Sequence, residues 1–215
     1  MDILCLYKSQ WQNGEACRRK VMLYNYSPSR DKLIDGCIGM PANYIARTRQ
    51  FEINNLIDEI LLNTDLSYPE SSVIDIIKAY IPDVSIVEDN FDGDSNIRGA
   101  IFKKSKEFTK PLIVIQKKLT KVGKTFTLAH EFGHYCLGHT GSANFMIDKL
   151  HYDGSEEMQK EGEAQYFAGA LLMPVDKFMK LDNVVGDVEL ARRFGVSESA
   201  VRVRKAWLHG KDLSQ

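Results

Sequence analysis

Residues 125–139 read TFTLAHEFGHYCLGH, and inside them His130, Glu131 and His134 form an H-E-x-x-H. Wound as a helix, that spacing puts two imidazoles one turn apart on one face. A divalent metal about 2.0–2.1 Å from each nitrogen fits between them, and the glutamate stands beside the ion's open side as a proton acceptor. The neighbours Phe126, Leu128, Ala129, Phe132, Tyr135, Cys136 and Leu137 are apolar on most sides, which points to a buried helix. Two histidines and a carboxylate are costly in such a place unless they coordinate or hydrogen-bond. Gly133 weakens a helix by about 1 kcal/mol relative to alanine, so it marks a point where another backbone or a ligand comes close. Gly138 is a natural helix stop.

Zinc needs a third protein ligand. The pattern H-E-x-x-H-x-x-G-x-x-H would require glycine at 137 and histidine at 140, where this chain has Leu137 and Thr140. His139 is one residue out of phase and reads as a supporting or surface residue. No cysteine pair has ligand spacing. A carboxylate from a second helix remains, and residues 161–174, EGEAQYFAGALLMP, offer two. The apolar stripe of that helix runs through Ala164, Phe167, Ala168, Leu171 and Leu172. Glu161 lies nearer its centre and is the preferred ligand, with Glu163 as the alternative.

Together, TFTLAHEFGHYCLGH and E-x-E-A-x-x-F-A-x-x-L-L-M-P, about thirty residues apart, resemble the ImmA/IrrE-type metallopeptidases over roughly residues 51–208. The resemblance implies an α+β, mainly helical, zincin-like metallopeptidase domain with a small, mostly antiparallel sheet and a C-terminal helix-turn-helix-like pair of helices. It also implies that the second helix supplies a glutamate ligand, which by position is Glu161. A zinc ion would then be held by His130, His134 and Glu161, with Glu131 as the catalytic base. The substrate expected from the resemblance is a protein, narrowly chosen, often a helix-turn-helix repressor whose cleavage relieves silencing in a mobile element or stress response. The contrasting expectation is a regulatory binding module or toxin–antitoxin component that uses the same fold without proteolysis. An arginine often precedes the F-T-L-A-H-E run in that family; here the residue is Lys124.

The remainder of the 215 residues frames this centre. With 44% hydrophobic residues the chain can bury a real core, and a net charge of −1 argues against wholesale nucleic-acid binding. The four cysteines, Cys5, Cys17, Cys37 and Cys136, show no regular spacing, no signal-peptide core is present, and no run is long enough to cross a membrane. A reduced, cytoplasmic protein is expected. Residues 1–50 form an extension of unknown role, in which Cys37 is a remote candidate for a zinc-capping thiolate, and residues 51–215 form the metallopeptidase-like domain. Apolar residues at helical spacing from Phe51 to Leu61, and again from Val73 to Tyr80 after a capping Ser72, predict two core helices. Short apolar runs at 84–87, 97–102 and 112–115 predict the sheet. By resemblance to zinc peptidases, 97–102 or 112–116 would be the edge on which an extended substrate docks. Residues 140–160 read as a loop over the cleft, with His151 and Tyr152 there, and Tyr135 and Tyr166 elsewhere, as candidates to polarise a carbonyl. Residues 187–210 have helix-turn-helix spacing, with six Lys/Arg against three Asp/Glu from Asp187 to Lys211. DNA contact there is the lesser reading, and Arg204 stands where that motif prefers an apolar residue.

Overall fold

A computed structural model describes residues 45–91, 97–104, 108–139, 145–147 and 156–209. Helix α1 (Arg47–Thr64) and helix α2 (Val73–Tyr80) come first. In α2 the expected cap is present: Ser72 Oγ accepts from the Asp75 amide while Asp75 reaches back to the Ser72 amide. This closes two of the first-turn donors that a helix leaves open. Strands β1 (Ser85–Asp89), β2 (Gly99–Phe102) and β3 (Leu112–Gln116) follow, then α3 (Lys121–Cys136). A short strand β4 (Phe145–Ile147) precedes α4 (Glu156–Leu172), and α5 (Val175–Asp182), α6 (Asp187–Phe194) and α7 (Glu198–His209) complete the order.

The sheet runs β1-β3-β2-β4, with β1 parallel to β3 and the other two pairings antiparallel. Here the expected docking edge is overturned. Both 97–102 and 112–116 are interior to the sheet, and the edges are β1 and β4. The reason is β4, which arises within the stretch read as an unbroken loop and covers β2. Likewise α4 begins at Glu156, earlier than that reading allowed.

Pleating sorts the strands between two cores. Ile101, Ile113 and Ile115 face the main core, whereas Ala100, Phe102, Leu112 and Val114 join Phe91, Ile97 and Phe108 on the opposite face. That two-sided burial explains why Leu112–Ile115 reads as a continuous apolar run. Across the main core α3 packs against α4 more extensively than any other helix pair among the described residues. Ala164, Phe167, Ala168, Leu171 and Leu172 are all fully buried on the expected stripe. Gly133 makes the contact close: a β-carbon there would lie 3.0–3.1 Å from three carbons of Phe167. The sequence pointed to a backbone or ligand at this spot; the visitor is a side chain. Helix α3 ends as expected, Gly138 taking φ +75°.

Candidate metal centre

Thr120 caps α3 by accepting from the Gly123 amide, 3.1 Å away, and the helix then carries His130, Glu131 and His134 into the interior. All three are buried, as are His139, Glu161 and Glu163. His130 Nε2 lies 3.0 Å from His134 Nε2 and 3.1 Å from Glu161 Oε2, and His134 Nε2 is 3.4 Å from Glu161 Oε1. One ligand atom from each of His130, His134 and Glu161 falls within 4.8 Å of the others.

These separations can be compared with what an ion would require. Four ligands around zinc at 2.0–2.1 Å stand about 3.3–3.4 Å from one another at the corners of a tetrahedron. Gaps of 3.0, 3.1 and 3.4 Å are close to that edge length. Two imidazoles and one carboxylate also match the donor set of catalytic zinc sites, which keep a fourth corner open. The three residues could therefore hold the metal. Burial alone would push the Glu161 carboxyl up, but His134 and His130 outweigh it and hold the group well below the usual carboxylate range. Glu161 is thus an anion, the form a metal needs.

Glu131 sits on the same helix, fully buried beneath β2. A β-carbon on Gly99 would lie 2.5 Å from Glu131 Oε1 and 2.7 Å from Thr127 Cγ2. Glycine at 99 is what lets the strand pass over the carboxylate, a role that the sequence reading did not assign to it.

Glu163, the alternative ligand, is turned elsewhere. Its Oε2 accepts from Arg49 Nη2 at 2.6 Å and lies 3.2 Å from His139 Nε2, and its Oε1 accepts from Gln159 Nε2 at 3.1 Å. Burial opposes its charge, but Arg49 and Gln159 prevail and keep its carboxyl below the ordinary range. His139 lies inside: its Nδ1 is 3.0 Å from His134 Nδ1. Burial first, and His134 second, push its imidazole down to about 4 against the pull of Glu163, so it is neutral at pH 7. Arg49 escaped the sequence reading because nothing local links it to a glutamate 114 positions away. His139 was in view there, placed at the supporting or surface level.

Among the carbonyl-polarising candidates, Tyr166 is built into the core. Its hydroxyl accepts from Asn54 Nδ2 at 3.0 Å and its ring packs on Trp207. Tyr135 is partly exposed beneath Lys103, whose Nζ is 5.4 Å from the ring centroid. His151, Tyr152 and Cys37 lie outside the described residues. Burial pushes the Cys136 thiol up, with only Lys103 opposing, so it is a poor nucleophile and a poor ligand. Lys124, in the family's arginine position, pairs with Glu88 at 2.6 Å.

The IrrE N-terminal-like domain model of Peptidase_M78 matches residues 83–205, more than half of the chain. The chain belongs to the Peptidase_M78 family. No curated protein matches it. Among solved structures it is similar to a Mycobacterium tuberculosis transcriptional regulator, with a TM-score of 0.50 and 19% identity over 77% of this chain and 57% of that one. At that identity the likeness is one of fold, and the chain spans a little over half of the neighbour's length. Within the M78 domain no helix among the described residues is long and apolar enough to cross a membrane.

Proposed function

We propose that the chain is a zinc-dependent endopeptidase acting on a narrow protein substrate, with a helix-turn-helix repressor as the best-suited class. The observation that carries this reading is the convergence of His130, His134 and Glu161, with Glu131 beside them on α3. When bound, zinc would bring a water's pKa towards about 7 and polarise the scissile carbonyl. Glu131 would be the base that accepts a proton from the attacking water and delivers it to the leaving amine. His130, His134 and Glu161 keep the metal corner of the site fixed, while Gly99 keeps β2 clear of the proton-carrying carboxylate.

The partner is read as protein on electrostatic grounds. Part of the basic charge of the helix-turn-helix-like pair is engaged within the molecule. Arg192 and Arg193 both hold Glu189, Lys205 holds Asp182 and Asp187, and Arg204 is buried. That leaves Arg202 and the exposed sides of Arg192 and Arg193 to meet phosphates, a narrow positive face where most DNA affinity depends on a broad one. The name of the fold neighbour, a transcriptional regulator, is compatible with a peptidase whose substrate is a transcription factor.

Elemental analysis of protein never exposed to chelator should find about one zinc per chain, and less than a tenth of an equivalent would remove the catalytic reading. The same preparation incubated with a repressor encoded beside its gene should yield discrete fragments on a gel. A zinc-loaded protein that binds the repressor without cutting it would favour the regulatory module instead.

A further inference from the structure

The ring of His134 is held at both of its nitrogens, and the second hold runs through three more side chains to a different part of the fold. Nε2 faces His130 and Glu161, so it is the nitrogen available to an ion. Nδ1 lies 3.0 Å from His139 Nδ1. Two imidazole nitrogens hydrogen-bond only if one carries a proton and the other a lone pair. A neutral imidazole that ligates through Nε2 carries its proton on Nδ1, so His134 donates and His139 Nδ1 accepts. The proton of His139 is then on Nε2, 3.2 Å from Glu163 Oε2. Glu163 is anchored in turn by Arg49 at 2.6 Å and Gln159 at 3.1 Å. Each donor in this series meets an acceptor in one direction only.

We propose that His139, Glu163 and Arg49 are positioning residues for the metal centre, a relay that fixes the tautomer and orientation of His134 and strengthens its hold on zinc. The proposal rests on the zinc reading above. The pair Glu161 and Glu163, two positions apart on α4, divides the labour: Glu161 meets the nitrogen that faces the ion, and Glu163 supports the opposite nitrogen through His139. Arg49 belongs to α1, outside the residues 83–205 that the family model matches. In this chain the relay therefore ends on a helix that the matched domain does not include.

The test is zinc affinity, measured by competition with a chromophoric chelator, alongside the d–d spectrum of the cobalt-substituted protein and the thermal midpoint of the metal-free protein. Loss of an outer hydrogen-bond partner of a metal-bound histidine costs about 10–100-fold in affinity. His139→Phe should weaken zinc by that factor, Glu163→Gln by less and Arg49→Met by least, each with an altered cobalt spectrum and a loss of affinity larger than any drop in the metal-free midpoint accounts for. Because the three act in series, Arg49→Met should add almost nothing once Glu163→Gln is present. Should His139→Phe fail to fold, the Glu163→Gln and Arg49→Met pair carries the same test. Variants that bind zinc as tightly as the parent, or that lose affinity only in step with the metal-free midpoint, would overturn the relay and leave the zinc centre standing. A parent protein that binds no zinc would remove both, and that result is visible before any variant is made.

Discussion

Two helix pairs in this molecule handle charge in opposite ways. Between α3 and α4 the ionisable groups are inside, and His130, His134, His139, Glu161 and Glu163 are disposed so that each buried nitrogen or oxygen named above faces another. Between α6 and α7 the shared interior is apolar, built on Leu190, Phe194, Val201 and Val203, and the charges pair on the outside. Surface pairs of that kind contribute roughly 0–1 kcal/mol each. Interior polar groups without partners would cost several times more. A chain accepts such a risk where chemistry requires it, which favours the α3–α4 cluster as the candidate centre, whereas the buried Arg204 of α7 turns to the Met173 carbonyl and the Tyr166 ring.

The sharpest way to break the comparison is Glu131→Gln. It keeps volume and hydrogen-bonding reach but removes the basic carboxylate, so hydrolysis of the repressor should fall by about 10²–10⁴-fold. Zinc content should stay near one per chain. An unchanged cleavage rate with metal retained would show that Glu131 is not the base.

A smaller effect is expected across the other pair, from Arg204→Met. Arg204 is buried, donates from Nε to the Met173 carbonyl at 3.1 Å and lies over the Tyr166 ring. No described carboxylate is paired with it. An apolar side chain of similar length should therefore shift unfolding free energy by less than about 1 kcal/mol, whereas breaking a buried ion pair costs about 3–5 kcal/mol. Denaturant melts measure the difference. Neither the parent nor Arg202→Ala, which changes an exposed arginine of the same helix, should shift random duplex DNA in a salt-dependent way, and a complex lost on Arg202→Ala would place readout on this pair.

The mildest probe is acid. Burial would raise the Asp182 carboxyl, but Lys205 and His209 outweigh it and hold it below its ordinary value. A group depressed in this way contributes stability that is complete above about pH 4, its unfolded value, and is lost as pH falls through the folded value. Asp182 joins α5 to α7 through Lys205 and His209. Asp182→Asn should lower the melting temperature modestly at pH 7 and flatten its further decline below pH 4. An equally steep decline in the variant would mean that other carboxylates govern it.

Much of this was legible in the sequence because the signals are local. H-E-x-x-H states its own geometry, Gly133 announces a close approach, and Ser72 with Asp75 writes its cap within four residues. What escaped depends on distant partners. Strand order turned on β4, whose apolar run Phe145–Ile147 is only three residues long and is set between polar neighbours, too short to announce a strand. Arg49 gained its place only when α1 docked on α4, and Gly99 when β2 crossed Glu131. Arg204 broke the helix-turn-helix pattern because Met173 and Tyr166 receive a guanidinium where that motif holds an apolar side chain.

At Gly133, α3 comes so close to Phe167 of α4 that a β-carbon there would lie 3.0–3.1 Å from its side chain. Such a contact has no slack, since interiors are packed to the density of organic crystals. His130 and Glu161 are mounted on those two helices, so the opening between them is gauged by the hard surface of Phe167 as well as by rotamers. The cage behaves like a part located by its seat and not by its screws. On the zinc reading, an ion with bonds several tenths of an ångström longer would press against the most extensively packed helices among the described residues, and the hydrophobic core would then bear on which metal fits.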